Sequence, residues 1–342
     1  MMNAKENALR TIRFDSPERI VAGPPSHAVG YLGCNHEGYE APGHDVPVGT
    51  IWTDVWGTTW QKKQSGVMGF PRKHPMADLV RGLKEHSWPN PDDERICGRI
   101  HAGAEECDRS NTFLLGSHRE TLWEKSYMLV GMEDLMCYIY TEPGAVKELL
   151  HRVVDFDLAI ARHYVSAEAE MVFMGDDLGT QSSLLFSPEI LDTFFVPEYQ
   201  RLFDFYKAHN ILINFHSCGH VSPILEVFME LGVDILNPVQ ESANDLQLIR
   251  DRTEGRMALQ GGINSGLIVS GPVEAIRREV HRRIHQLGKN GGYFCGPDQA
   301  MPWPKEHIRA WREAVEEFGK YPLTADELDG DSRETDVPDV TT

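Results

Sequence analysis

From residue 171 onward, short apolar runs rich in β-branched and aromatic residues alternate with longer stretches whose apolar positions recur every three to four residues. The runs lie at 171–175, 211–215, 233–236, 256–262 and 292–295. Each is followed by a helical signal. Ser187-Pro188-Glu189 and Ser222-Pro223 each set a capping serine ahead of a first-turn proline. Further helices are expected over about 244–252, 272–287 and 304–318. In 272–287 the residues Val273, Ile276, Val280, Ile284 and Leu287 form one apolar stripe. Five such units, with continuously apolar strands, predict a parallel sheet covered by helices.

The first half is less regular. Residues 27–32 (HAVGYL) and 112–116 (TFLLG) read as strands, and Glu142-Pro143 opens a long helix to about residue 167. Between the two strands, residues 34–75 read as an insertion rich in Gly, Pro and aromatics, with a small hairpin from 51–61 and 66–70. Seven strands are visible, and an eighth is expected in or near the insertion. The predicted fold class is α/β: a (β/α)8 TIM-type barrel with an N-terminal aromatic-rich insertion, one domain over 1–322. Residues 323–342 are expected to be an acidic, disordered tail, since 324–342 carry seven acids against one arginine and almost no large apolar residue.

A chain of 342 residues that is 41% hydrophobic can bury a sizeable core. Its net charge of −19 argues against nucleic acid and against an anionic membrane surface. No apolar run reaches the ~18 residues of a membrane span, and the N-terminus has no signal core, so a cytoplasmic location is expected. Cysteines at 34, 97, 107, 137, 218 and 295 form no C-x-x-C pair, and in a reducing compartment they matter through burial, reactivity or metal binding. There is no G-x-G-x-x-G after a strand and no Walker loop, which leaves nucleotide binding without support.

Polar, ligand-capable residues collect where the predicted strands end: Asp176 and Asp177; His216, Cys218 and His220; Asn237 and Gln240; Asn264; Cys295 and Asp298. The opposite strand ends show no such concentration. In a β/α barrel the loops after the strands converge on the active site, so this asymmetry predicts an enzyme. His216 and Cys218, two apart, share a strand face. With Cys295 they make a Cys2His set suited to Zn2+ with an open fourth position, which Asp177 or Asp176 could fill. On spacing alone, a buried cysteine and a core histidine satisfied by its neighbours is the simpler account.

The stretches NFHSCGHVSPILEVFMELGVDILNPVQ (214–240), ALQGGI (258–263), GYFCGPDQ (292–299) and GDDLGTQSSLLFSPE (175–189) resemble the uroporphyrinogen decarboxylase superfamily. The resemblance covers about 120–320 well and the N-terminal third loosely. It implies a (β/α)8 barrel and two known chemistries. The superfamily's decarboxylases bind a four-carboxylate porphyrinogen through N-terminal arginines in a segment resembling M-R-Q-A-G-R. Here GPPSHAVGYLG (23–33) stands at the comparable place, and no Arg or Lys occurs between Val21 and Gln61. The superfamily's methyltransferases carry H-x-C and a remote Cys as zinc ligands, a pattern that His216, Cys218 and Cys295 match. They work with a corrinoid (cobalamin) carried by a partner protein.

Thiol methyltransferases and demethylases of methoxylated aromatics would use the same three ligands. Residues 27–60 supply His27, Tyr31, His36, Tyr39, Trp52, Trp56 and Trp60 near the expected barrel mouth, walls that suit a flat substrate. The expected function is therefore zinc-dependent demethylation of an aryl methyl ether, with the methyl group passed to the Co(I) corrinoid of a partner. The expected metal ligands are His216, Cys218 and Cys295, and the expected catalytic residues Asp177 and Asp176. His27, Tyr31, His36, Trp52, Trp56, Asn237 and Gln240 are expected to bind substrate. Three alternatives remain: a methylcorrinoid:thiol methyltransferase, a uroporphyrinogen-type decarboxylase, and a non-catalytic corrinoid-protein-binding barrel with a structural zinc.

Overall fold

The computed structural model describes residues 2–34, 46–65, 68–299 and 301–323. In chain order its strands are β1 (Ser26–Gly30), β2 (Ile51–Thr53), β3 (Thr59–Gln61), β4 (Phe70–Lys73), β5 (Phe113–Ser117), β6 (Met171–Gly175), β7 (Leu212–His216), β8 (Ile235–Val239), β9 (Ala258–Ile263) and β10 (Tyr293–Pro297). Seven of them form one parallel sheet in the order β1-β5-β6-β7-β8-β9-β10. Helices cover its outer face, the longest being Pro143–Ser166. This is the expected TIM-like α/β fold.

The barrel's seam lies elsewhere than expected. Val21 bridges Phe294 in parallel, and Cys295 N donates to Val21 O at 2.9 Å. The eighth staves position is thus a single bridge just ahead of β1, not a strand of the insertion. Gly23, Pro24 and Pro25 follow at once, and prolines cannot donate to a ladder, so pairing stops there. The insertion instead makes its own antiparallel sheet, β2-β3-β4, one strand more than a hairpin.

Strand alternation sorts the core into two layers. Phe113, Leu115, Met171, Ile235, Ala258 and Phe294 fill the barrel, joined by Ala8 and Ile12 from the N-terminal helix Ala4–Arg13. Their β neighbours Leu114, Val172, Ile213, Phe215, Leu236, Leu259, Tyr293 and Cys295 point outward into the larger core against the helices. The second Ser-Pro signal is not a serine cap: Ser222 Oγ donates to Asn244 Oδ1 at 3.1 Å, within a 3-10 turn ahead of the helix Leu225–Glu230. Among the described residues no helix is long and apolar enough to cross a membrane. The acidic segment from 324 onward lies outside the described residues.

Candidate active site

β6 ends at Gly175, and the two acids after it diverge. Asp176 is fully buried and accepts from Leu122 N at 2.8 Å, Glu124 N at 2.7 Å and Tyr199 Oη at 2.5 Å. Burial pushes its carboxyl up to about 7, against the pull of those donors. Its work is to pin the start of the helix Trp123–Val130; it faces no cavity. Asp177 turns to the rim, where it accepts from Cys218 N at 3.0 Å, and its Oδ1 lies 3.4 Å from His216 Nε2. Burial would raise the Asp177 carboxyl, but the hydrogen bond and charge of His216 and the Cys218 contacts bring it down to about 2.

His216 ends β7 on the inward face, with Leu212 and Asn214 below it. Its Nδ1 lies 3.0 Å from Asn237 Oδ1, which accepts the ring proton and leaves Nε2 for the rim. Cys218 Sγ is 3.3 Å from that Nε2, and Gln299 Nε2 donates to the same sulfur at 3.0 Å. Burial alone would lower the imidazole's pKa; hydrogen bonds to Asp177 and Cys218 outweigh it and raise the value to about 10.

The loop presenting Cys218 is tightly held. Gly219 has φ +84°, and a β-carbon there would meet the Gly179 backbone at 2.4 Å, so only glycine fits. Gly219 N donates to Gln240 Oε1, and Asn244 Nδ2 donates to Gly219 O at 2.9 Å.

Asp177, His216 and Cys218 present one carboxylate oxygen, one imidazole nitrogen and one sulfur, all within 4.8 Å of one another. Oxygen, nitrogen and sulfur donors at such spacing suit Zn2+, and a histidine whose far nitrogen is hydrogen-bonded is oriented as zinc-binding histidines are. The residues present therefore fit the metal, with a changed set. Cys295 is not among them. It stands at the odd position of β10, between the inward Phe294 and the rim, so alternation turns its thiol outward. It is fully buried beside Tyr293, and burial pushes its thiol up to about 12. The side chain that the chain after β10 does bring to Cys218 is Gln299.

The site opens into a cavity of about 520 Å³ at the C-terminal rim, walled by Phe173, Trp303, Trp311 and Met68 and edged by Arg119 and Glu124. Asn237 lines it as expected, whereas Gln240 supports the Cys218 loop from behind. The expected aromatic wall is not part of it. Trp56 is buried against Phe156, its Nε1 donating to Gly33 O at 3.0 Å, and Trp52 packs with Trp60 and Met128. Both pack the insertion onto the barrel. Tyr31 packs on Phe156 in the outer core, and His27 shares the same outward parity on β1. His36 lies outside the described residues.

Sequence reading missed Phe173, Arg119, Glu124, Gln299 and the Trp303–Trp311 pair. Phe173 was available: two positions after Met171 in β6, it shares the inward face. Arg119 follows β5, whose loop carried no recognisable signal.

The uroporphyrinogen decarboxylase (URO-D) family profile matches residues 123–318, more than half of the chain. This chain belongs to the uroporphyrinogen decarboxylase family. Relatives in the URO-D family include a uroporphyrinogen decarboxylase from Methylococcus capsulatus, 28% identical over 204 residues, 56% of each chain. Another, from Trichormus variabilis, is 26% identical over 189 residues, 52% of this chain and 50% of that one. The chain thus spans about half the length of the curated relatives it matches. A methyltransferase from Methanosarcina mazei superposes with a TM-score of 0.70 over 93% of this chain and 99% of that one, at 18% identity, which establishes a common fold. The expected superfamily and barrel are borne out, and the family is one of enzymes.

Proposed function

We propose that this URO-D family member is a zinc-dependent methyltransferase that demethylates a methoxylated aromatic and passes the methyl group to the Co(I) corrinoid of a partner protein. The observation that carries the reading is the convergence of Asp177, His216 and Cys218 beneath an aromatic-walled cavity on the barrel's C-terminal rim. A Zn2+ held by these three residues would supply a Lewis acid for the oxygen of the scissile ether.

The chain's own residues do the rest. Phe173, Trp303 and Trp311 offer faces on which a ring can lie. Asn237 fixes His216, and Gln299 fixes the Cys218 sulfur, so the donor set is ordered before substrate arrives. The methyl group must face outward, because its acceptor is carried by a protein that can only dock over the rim. A Co(I) corrinoid docked there would supply the electron pair for the new bond to the methyl carbon, and the C–O pair would leave with oxygen as a phenolate.

Among the described lining side chains, one arginine, Arg119, and no lysine stands with Glu124, Asp177 and Asp298. That balance is poor for a substrate with four carboxylates, and favours methyl transfer over porphyrinogen decarboxylation. The test is an anaerobic panel with reduced corrinoid protein. Methoxylated aromatics should be demethylated and thiols left unmethylated. Methylation of a thiol from methylcobalamin, with every methoxylated aromatic ignored, would reverse the substrate assignment. Porphyrinogen decarboxylation without metal would overturn the reading.

A further inference from the structure

The turn after β5 carries one side chain that the proposed chemistry does not use. His118, Glu120 and Thr121 are fully buried, whereas the Arg119 side chain between them is half exposed at the cavity edge. The backbone is held from both sides: His118 N donates to Phe173 O at 2.9 Å, and Thr121 N to Gly175 O at 3.0 Å. Arg119 itself has φ +21°, outside the regions ordinary residues favour. Strain of this kind persists only where neighbours over-determine it, and it gathers at ligand sites.

The placement is close to the donor set. A β-carbon built on Gly175 would lie 3.0 Å from both Arg119 O and His216 Cβ, so this one glycine separates the two residues. Among the described residues the Arg119 guanidinium donates no hydrogen bond; its ion pair is Nε to Glu120 Oε1 at 3.4 Å. Glu120 is shared, with Lys125 Nζ 3.9 Å from its other oxygen.

We infer that Arg119 is a specificity-determining residue that binds the carboxylate of the substrate, making the substrate class methoxylated aromatic acids. The inference rests on the methyl-transfer reading for the reacting end of that substrate. An anion entering the cavity meets Asp177 and Asp298 elsewhere on the wall, so Arg119 is the place where its charge is matched. The guanidinium's free Nη groups offer the planar fork that a carboxylate takes in two parallel hydrogen bonds. The ring then lies along the wall beside Phe173, which precedes Gly175 by two residues on the strand between Arg119 and His216.

The test measures equilibrium binding to the zinc-loaded full chain, with 4-methoxybenzoate and its neutral counterpart 4-methoxybenzyl alcohol as probes. Wild type should bind the acid more tightly. Arg119→Gln should weaken the acid by about 10–100-fold, the loss expected when a charge-assisted pair is removed, and leave the alcohol unchanged. Arg119→Lys should fall between, keeping the charge without the fork; it becomes the deciding variant if Arg119→Gln does not fold. Equal effects on both probes, no effect on either, or no preference for the acid in wild type would each overturn the inference. A chain that binds the acid through Arg119 yet transfers no methyl group would overturn the proposed reaction and leave the anchor standing. Equal demethylation of both probes would do the reverse.

Discussion

Asn237 decides which nitrogen of His216 faces the cavity, and its carbonyl oxygen is the partner that fixes the ring. Such partners tune affinity without touching metal. Asn237→Ala should lower zinc affinity by about 10–100-fold, read by competition with a chromophoric chelator. An unchanged affinity would mean that Asp177 and Cys218 orient the ring by themselves. The two cysteines separate more sharply. Cys218→Ala should lose most of the metal, and Cys295→Ala should keep about one zinc per chain. Zinc loss from both variants would return Cys295 to the ligand set. His216 and Cys218 were legible in the sequence because both lie at the end of one strand with the right parity. Cys295 was misread because residue type was weighed and parity was not: Phe294 fills the barrel, so its neighbour must point away. Asp177 was legible only as one of two acids, since which of them turns inward depends on partners from a distant helix.

At the scale of elements, the turn after β5 depends on what lies behind it. His118 Nδ1 is 3.1 Å from Asp157 Oδ1, on the helix Pro143–Ser166, and both side chains are buried. Removing Asp157 leaves His118 Nδ1 buried without its partner, although Tyr206 Oη still meets Nε2, so Asp157→Ala should destabilise by about 1–3 kcal/mol in denaturant titrations. Burial raises the Asp157 carboxyl above its ordinary 3.8, although His118 pulls it back. The folded chain therefore holds this proton to higher pH than the unfolded chain does. The group's contribution is greatest at low pH and is lost as pH rises through the raised value. Relative to Asp157→Asn, wild type should lose stability over that rise; parallel pH profiles would contradict the assignment. The five β/α units from 171 onward were legible because each strand is a mainly apolar run followed by a helical pattern. The seam was not, because one bridge at Val21 ahead of two prolines leaves no strand-like pattern. The tryptophans of the insertion were legible as a cluster but not as packing, since aromatic residues suit a substrate wall and a core equally.

At the scale of the molecule, the fold brings its chemistry to one end. The helix Ala4–Arg13 plugs the barrel from the side of the strand starts, and the donor set, the aromatic wall and Arg119 all stand where strands finish. On the proposed reading, a partner carrying the methyl acceptor would dock over that end. The measurement that tests the central claim most directly is the absorbance of a reduced corrinoid protein mixed anaerobically with the chain and 4-methoxybenzoate. It is followed in wild type, in wild type stripped of metal, and in Cys218→Ala. The account predicts conversion of Co(I) to methyl-Co(III), matched by release of the free phenol, with zinc-loaded wild type alone. Equal conversion by the stripped protein and by Cys218→Ala, or no conversion by zinc-loaded wild type, would contradict it.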